Sequence, residues 1–257
     1  MEEDKFGRNG GTGGPLDALR RELDEARRAA RREAAEELAS RPLRTRRAFF
    51  FQLYAAVAVL AFAALAYLAV LTPYSSLDLR LTQALQALDH PLLARFMRLV
   101  SWPGFPPQLF LVILLPILLL FYLGLRREAR VTALAAVFTQ LLNTLIKLAV
   151  ARPRPEAGLV EVQELLSGYS FPSGHVMFYS AYFGFLFFLG YTLLRPSWMR
   201  AALLALCAAL VLFVGPSRIY LGQHWASDVL GAYLLGSLCL AGAVRLYRGL
   251  PPAPQEG

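Results

Sequence analysis

Three short polar clusters sit at the ends of hydrophobic stretches: Lys147 with Arg154-Pro155, then Pro172-Ser173-Gly174-His175, then Ser217-Arg218 followed by His224 and Asp228. Together they supply three cations, two histidines, a Ser-Gly pair that opens a helix and one carboxylate. That set suits gripping a phosphate and breaking its ester bond. Cations and free N–H groups hold the phosphoryl oxygens. One imidazole attacks phosphorus, a carboxylate orients it, and the second imidazole protonates the departing oxygen. Asp228 lies one helical turn past His224 on the same side, within reach of the imidazole Nδ1. A lone Asp one turn into an apolar span needs a partner, and His224 supplies it. Taken singly, Lys147 and Arg218 could snorkel to the membrane surface, and the histidines could cap helices there. The clusters carry meaning as a set.

The elements that must position them are membrane spans. Of the residues, 56% are hydrophobic, the mean hydropathy is +0.45, and the apolar residues gather in runs near the ~20 needed to cross a bilayer. Six spans are predicted: 48–71, 106–125, 131–150, 175–194, 199–215 and 225–246. The first follows a long charged segment and precedes no small-residue cleavage site, so it reads as a retained span, not a signal peptide. The net charge of +8 does not point to nucleic acid, because the basic residues crowd the span ends. Arg44, Arg46 and Arg47 precede the first span; Arg126, Arg127 and Arg130 the third; Arg195 and Arg200 stand at the start of the fifth; Arg245 and Arg248 end the sixth. With a cytoplasmic N-terminus all four groups fall inside, as the positive-inside rule requires, against anionic headgroups. On the same path Lys147 and Arg154 end span three, His175 opens span four, Ser217 and Arg218 close span five, and His224 opens span six. Every cluster therefore falls on the outer face. Hydropathy and flanking charge alone make that placement, so its agreement with the chemistry is independent.

The expected fold class is an all-α integral membrane protein: six transmembrane helices, interfacial helices in the first outer loop and a cytoplasmic N-terminal helix. Residues 1–15, polar and Gly-rich, are expected to be disordered. Residues 16–47 form a charged cytoplasmic helix with a narrow stripe of Leu16, Leu19, Leu23, Ala26 and Ala30, ended by Pro42. Residues 48–247 hold the six-span domain and 248–257 a short cytoplasmic tail. Between spans one and two, Leu77, Leu81, Leu85, Leu88, Leu92, Leu93 and Phe96 recur at helical spacing, interrupted near Pro91, which predicts amphipathic helices in the interface. Trp102 suits the aromatic belt, and His90 has an interfacial or surface role. Residues 151–172 form a second outer loop, with Pro153 and Pro155 barring a helix. Cys207 and Cys239 fall inside spans and serve as small apolar residues; no disulfide framework or metal spacing is present.

The clusters also match a known pattern. Lys147, six residues, then Arg154-Pro155 resembles the first signature of the type-2 phosphatidic acid phosphatase superfamily, which is related to the vanadium haloperoxidases. Pro172-Ser173-Gly174-His175 resembles the second, and Ser217-Arg218, five residues to His224, three more to Asp228 resembles the third. The resemblance covers roughly residues 48–246. It implies that His224 is the nucleophile of a phosphohistidine intermediate, with Asp228 holding its attacking tautomer, and that His175 is the general acid. It implies that Lys147, Arg154, Arg218 and the Ser173 and Gly174 amides bind the phosphoryl oxygens. Of the two Arg-Pro pairs in Arg152-Pro153-Arg154-Pro155, family spacing selects Arg154 and leaves Arg152 as a loop or headgroup contact. No metal or other cofactor is implied, in keeping with the lack of clustered carboxylates or histidine pairs suited to Mg²⁺ or Zn²⁺.

The expected protein is a multi-pass enzyme of the inner cell membrane with both termini cytoplasmic and its site on the periplasmic or extracellular side. Its expected partner is a lipid phosphate in the bilayer, of the phosphatidic acid, phosphatidylglycerophosphate or undecaprenyl diphosphate class, with no nucleic acid. The sequence sets no oligomeric state. Two other readings use the same residues: a phosphotransferase in which an acceptor hydroxyl replaces water, and a non-catalytic lipid-binding scaffold.

Overall fold

The structure is a computed structural model and describes Arg46, residues 48–164 and residues 166–250. The disordered segment expected at 1–15, nearly all of the charged helix at 16–47 and the end of the tail lie outside the described residues. All secondary structure among the described residues is helical. The helices are α1 (Ala48–Leu71), then α2 (Ser76–Gln86), α3 (Pro91–Ser101), a short 3₁₀ turn at Trp102–Gly104, α4 (Gln108–Tyr122), α5 (Arg126–Val150), α6 (Gly174–Leu193), α7 (Trp198–Tyr220) and α8 (Ala226–Gly249). Helices α1, α5, α6, α7 and α8 are long and apolar enough to cross a membrane. A sixth crossing requires α3 with its 3₁₀ turn and α4 to act as one broken span, bent by 60°.

The second expected span is thus altered: α4 starts at Gln108, not 106, and has only 15 residues. Pro103, Pro106 and Pro107 explain the break, since none can donate a helical hydrogen bond and each restricts the residue before it. The fifth expected span, in contrast, is longer than expected. Helix α7 runs through Pro216 to Tyr220, so Ser217 and Arg218 lie within its last turn. Pro216 leaves the Leu212 carbonyl without its helical donor, and Tyr233 on α8 compensates. Its hydroxyl donates to Val211 and Leu212 carbonyls at 2.7 and 3.2 Å and accepts from the Gly215 amide at 3.1 Å. The same device recurs at Pro116 inside α4, where the Tyr182 hydroxyl donates to Val112 and Ile113 carbonyls at 2.9 and 3.0 Å. In an apolar medium such repairs are what make an internal proline tolerable.

Helix α6 is central. In its most apolar stretch 61% of residues are buried, against 11–28% in the other candidate spans. Its Val176, Met177, Tyr179, Tyr182 and Phe183 form the core with Val214 of α7 and Val229 and Ala232 of α8. Phe178 and Tyr182 stack at 4.9 Å, and Tyr179 meets Phe183 edge-on at 4.9 Å. Close packing against α8 uses small residues: a Cβ on Gly236 would lie 2.8 Å from Ser180 Cβ and 3.0 Å from the Met177 carbonyl oxygen.

Candidate active site

The site forms where α5 ends, α6 begins, α7 ends and α8 begins. Helix α5 is closed by Ala151 in the left-handed region (φ 51°), whose amide donates to the Lys147 carbonyl. Between α7 and α8, Gly222 (φ +67°) makes a turn that no side chain could enter, since a Cβ there would fall 1.9 Å from the Glu161 carbonyl oxygen. That turn returns the Gln223 and His224 amides to the Arg218 carbonyl at 3.1 and 3.3 Å. Six residues apart in sequence, Arg218 and His224 are thereby brought to one wall.

Lys147, Arg154, Gly174, His175, Arg218 and His224 all line one cavity of about 310 Å³. Lys147 Nζ donates to the Tyr169 and Ser170 carbonyls. Arg154 donates from Nε to Gly168 O at 3.1 Å and from Nη1 to Gln223 O at 2.9 Å. Its Nη1 also lies 3.3 Å from His224 Nε2. Burial draws Arg154 below its ordinary value, and Asp228 opposes that shift. Arg218 is fully buried: it donates to the Ser101 hydroxyl and lies over the Phe105 ring at 5.0 Å, while Nε and Nη2 have no partner. Among the described residues it has no carboxylate partner. A buried cation with idle donors is costly unless an anion joins it.

The second imidazole, His175, packs edge-on to Phe105 at 4.6 Å, and its buried Nε2 has no hydrogen-bond partner. Gly104 makes this possible: a Cβ there would lie 2.1 Å from the His175 ring. Ser173 departs from the expected arrangement. It is fully buried, and its amide donates to the Asp228 carbonyl at 3.3 Å, so it does not open on the cavity. Of the expected amide pair, only Gly174 lies on the cavity wall.

The expected direct bond between His224 and Asp228 is also replaced. Nδ1 lies 3.7 Å from Asp228 Oδ2, and the Ser170 hydroxyl sits between them, 3.3 Å from Nδ1 and donating a short hydrogen bond to Oδ2. The carboxylate can only accept, so the Ser170 proton points at Asp228, and the Ser170 oxygen is left to accept from Nδ1–H. The unprotonated nitrogen is then Nε2, on the cavity side beside the Arg154 donor. Burial pulls the His224 imidazole well below the usual histidine range, and Lys147, Arg154 and Arg218 push it further down.

Arg152, expected as a loop or headgroup contact, is buried instead. It pairs with Asp228 at 2.5 Å and with Asp78 on α2 at 2.9 Å, and donates to Ser227 Oγ and the Pro73 carbonyl. Asp78 in turn accepts from the Ser227 amide and hydroxyl at 2.8 and 2.9 Å. Burial would raise the Asp78 carboxyl, but the Ser227 and Ser75 amides, the Ser227 hydroxyl and Arg152 outweigh it and hold it below its ordinary value. Asp228 also accepts from the Trp225 amide at 2.9 Å, capping α8. Sequence reasoning missed Ser170, Asp78 and Gly104. Only the adjacency of Ser170 to the Pro172–His175 cluster offered a signal. Among the described residues no group of three or more His, Cys, Asp or Glu converges as for a metal ion.

The PAP2 superfamily profile matches residues 128–251. Phosphatidylglycerophosphatase B of Bacillus subtilis is 37% identical over 101 residues, 38% of this chain. The chain spans about half the length of that relative, 48%. Among solved structures, a transmembrane PAP2-type phosphatidylglycerolphosphate phosphatase of Bacillus subtilis shares the fold at a TM-score of 0.66 and 24% identity, over 77% of this chain and 97% of the other. LpxE of Aquifex aeolicus aligns at a TM-score of 0.53 and 24% identity, over 66% and 96%. The PAP2 superfamily profile runs through all three polar clusters.

Proposed function

We propose that the protein is a membrane lipid phosphatase that cleaves a phosphomonoester or diphosphate of a lipid through a phosphohistidine on His224, without a metal. The observation that carries this is the unmet demand for an anion in one cavity. Arg218 has two idle donors, His175 Nε2 has none to meet, and Lys147 and Arg154 flank an unprotonated His224 Nε2. A phosphate satisfies all of them at once. Held by Lys147, Arg154, Arg218 and the Gly174 amide, its phosphorus faces Nε2. The new P–N bond forms as the P–O bond to the lipid breaks, and His175 passes a proton to the leaving oxygen. Water then attacks phosphorus, the P–N bond breaks, and His175 takes the proton from the water. The positive charge that develops on His224 is relayed through Ser170 to Asp228. The relatives' names support a lipid phosphate such as phosphatidylglycerophosphate as substrate.

The arginine-rich ends of α5 and α8, where Arg127 lies over Tyr247 at 4.2 Å, support an outer location for the opposite end and its site. By the same rule the α3–α4 pair acts as the sixth crossing, with α2 at the interface. The test is phosphate release by purified protein in detergent with EDTA, on phosphatidic acid, phosphatidylglycerophosphate and undecaprenyl diphosphate. Release from at least one, absent in His224→Ala, is expected; silence on all three, or an active His224→Ala, would overturn the reading.

A further inference from the structure

The cavity does not end at the phosphate site. It continues along α5 from Lys147 past Thr144 and Asn143 to Gln140, with Leu109 of α4 and Phe178 of α6 among its lining residues. Seven residues of helix carry it about 10 Å toward the middle of the span. Gln140 and Thr144 are exposed on this 25-residue helix. Thr144 gives its proton to the Gln140 carbonyl at 2.9 Å, keeping its lone pairs for another donor. The Gln140 side-chain amide makes no hydrogen bond to the described residues, though it sits midway along a helix long and apolar enough to cross a membrane. An amide in that position costs several kcal/mol without a partner. Asn143, by contrast, faces inward and donates to the Pro172 carbonyl at 3.2 Å.

We infer that Gln140 and Thr144 form a second subsite that binds the polar backbone of a glycerophospholipid, its glycerol oxygens and ester carbonyls, below the phosphate being cleaved. This rests on the phosphatase reading and narrows its substrate class. The discrimination follows from where polar atoms stop. In a phosphatidate or phosphatidylglycerophosphate, oxygens continue for one to two helical turns beyond the reacting phosphorus, as far as the cavity remains polar. In a prenyl diphosphate, hydrocarbon begins directly after the second phosphate and would lie against the bare amide.

The test compares kcat/KM for dioctanoyl phosphatidate and farnesyl diphosphate in the purified full-length protein, its Gln140→Leu variant and its Thr144→Val variant. Leucine on a lipid-facing helix should fold, and a thermal melt checks that it does. Gln140→Leu is expected to lower the phosphatidate-to-farnesyl ratio about tenfold, through KM, and Thr144→Val about threefold, as the loss of a hydrogen bond implies. A Gln140→Leu ratio within twofold of wild type, or an equal loss on both substrates, would overturn the subsite. A wild type that hydrolyses farnesyl diphosphate but not phosphatidate would overturn it too, leaving the phosphatase reading intact. Release from neither by the wild type would overturn both.

Discussion

Ser170→Ala tests the relay between His224 and Asp228. Ser170 is fully buried, and its hydroxyl is the group that joins the two, since their side chains stand 3.7 Å apart. Asp228 retains Arg152 at 2.5 Å and the Trp225 amide at 2.9 Å, so the carboxylate should hold its place without Ser170. His224 keeps the hydrogen bond from its backbone N–H to the Arg218 carbonyl. What disappears is the hydroxyl acceptor for Nδ1–H, which on the proposed mechanism matters most when phosphoryl transfer puts positive charge on the ring. A hydrogen bond to a charged group contributes about 1.5–3 kcal/mol, and each 1.36 kcal/mol is tenfold in rate. The expected loss is therefore roughly ten- to a hundredfold in kcat, with KM nearly unchanged because the neutral ring of the ground state needs the relay less. Steady-state phosphate release on a soluble short-chain lipid phosphate, with a melt to confirm folding, reads it out. A kcat within twofold of wild type would refute the relay, showing that the imidazole closes the gap to Asp228 unaided. A change confined to KM would assign Ser170 to phosphate binding instead.

Arg152→Met strands two buried carboxylates and should destabilise the protein by about 3–5 kcal/mol; restoring part of that with Asp78→Asn in the double variant would confirm the coupling, and strict additivity would refute it. Tyr233→Phe should cost about 1 kcal/mol in a thermal melt by leaving the carbonyls beside Pro216 without a donor, while a melt identical to wild type would refute the repair. His224 is held below its ordinary value near 6.5. As pH falls below about 6.5 the unfolded chain therefore takes up a proton that the folded chain refuses, and stability declines; above it this contribution is constant. For the same reason the acid limb of kcat/KM should lie below about pH 6.5, and a limb centred at or above that value would contradict the burial of a neutral His224.

The legibility of this protein divides along a physical line. Where a property depends on residues close in sequence, the chain alone expresses it. Helices α1, α5, α6 and α8 fall within a few residues of the expected spans because a bilayer imposes a run length on any helix that crosses it. The exception at α5 is its first turn, where Arg126, Arg127 and Glu128 are helical though too polar to count as span. Five of the polar side chains that line the cavity, Lys147, Arg154, His175, Arg218 and His224, were likewise visible in advance, since their motifs sit at helix ends and adjacent spans meet there. The expected fifth span stops at 215, and α7 runs on through Pro216 because the rescue of that proline comes from Tyr233 on another helix.

Tertiary structure decided the contacts between segments far apart in sequence. Asp78 and Arg152 are 74 residues apart and Arg152 and Asp228 are 76 apart. No local pattern says that one buried arginine will pair with both carboxylates. Ser170 entered the His–Asp pair because the two side chains, one turn apart on paper, are held too far apart for a direct bond. Periodicity gives the direction of a side chain to within a face, whereas a hydrogen bond is decided by less than an ångström. The polar edge at Gln140 gained its meaning only when α4 and α6 closed a cavity against it. The sequence therefore determined which of its clustered polar groups reach the cavity, and packing determined how they are held and which further residues line it.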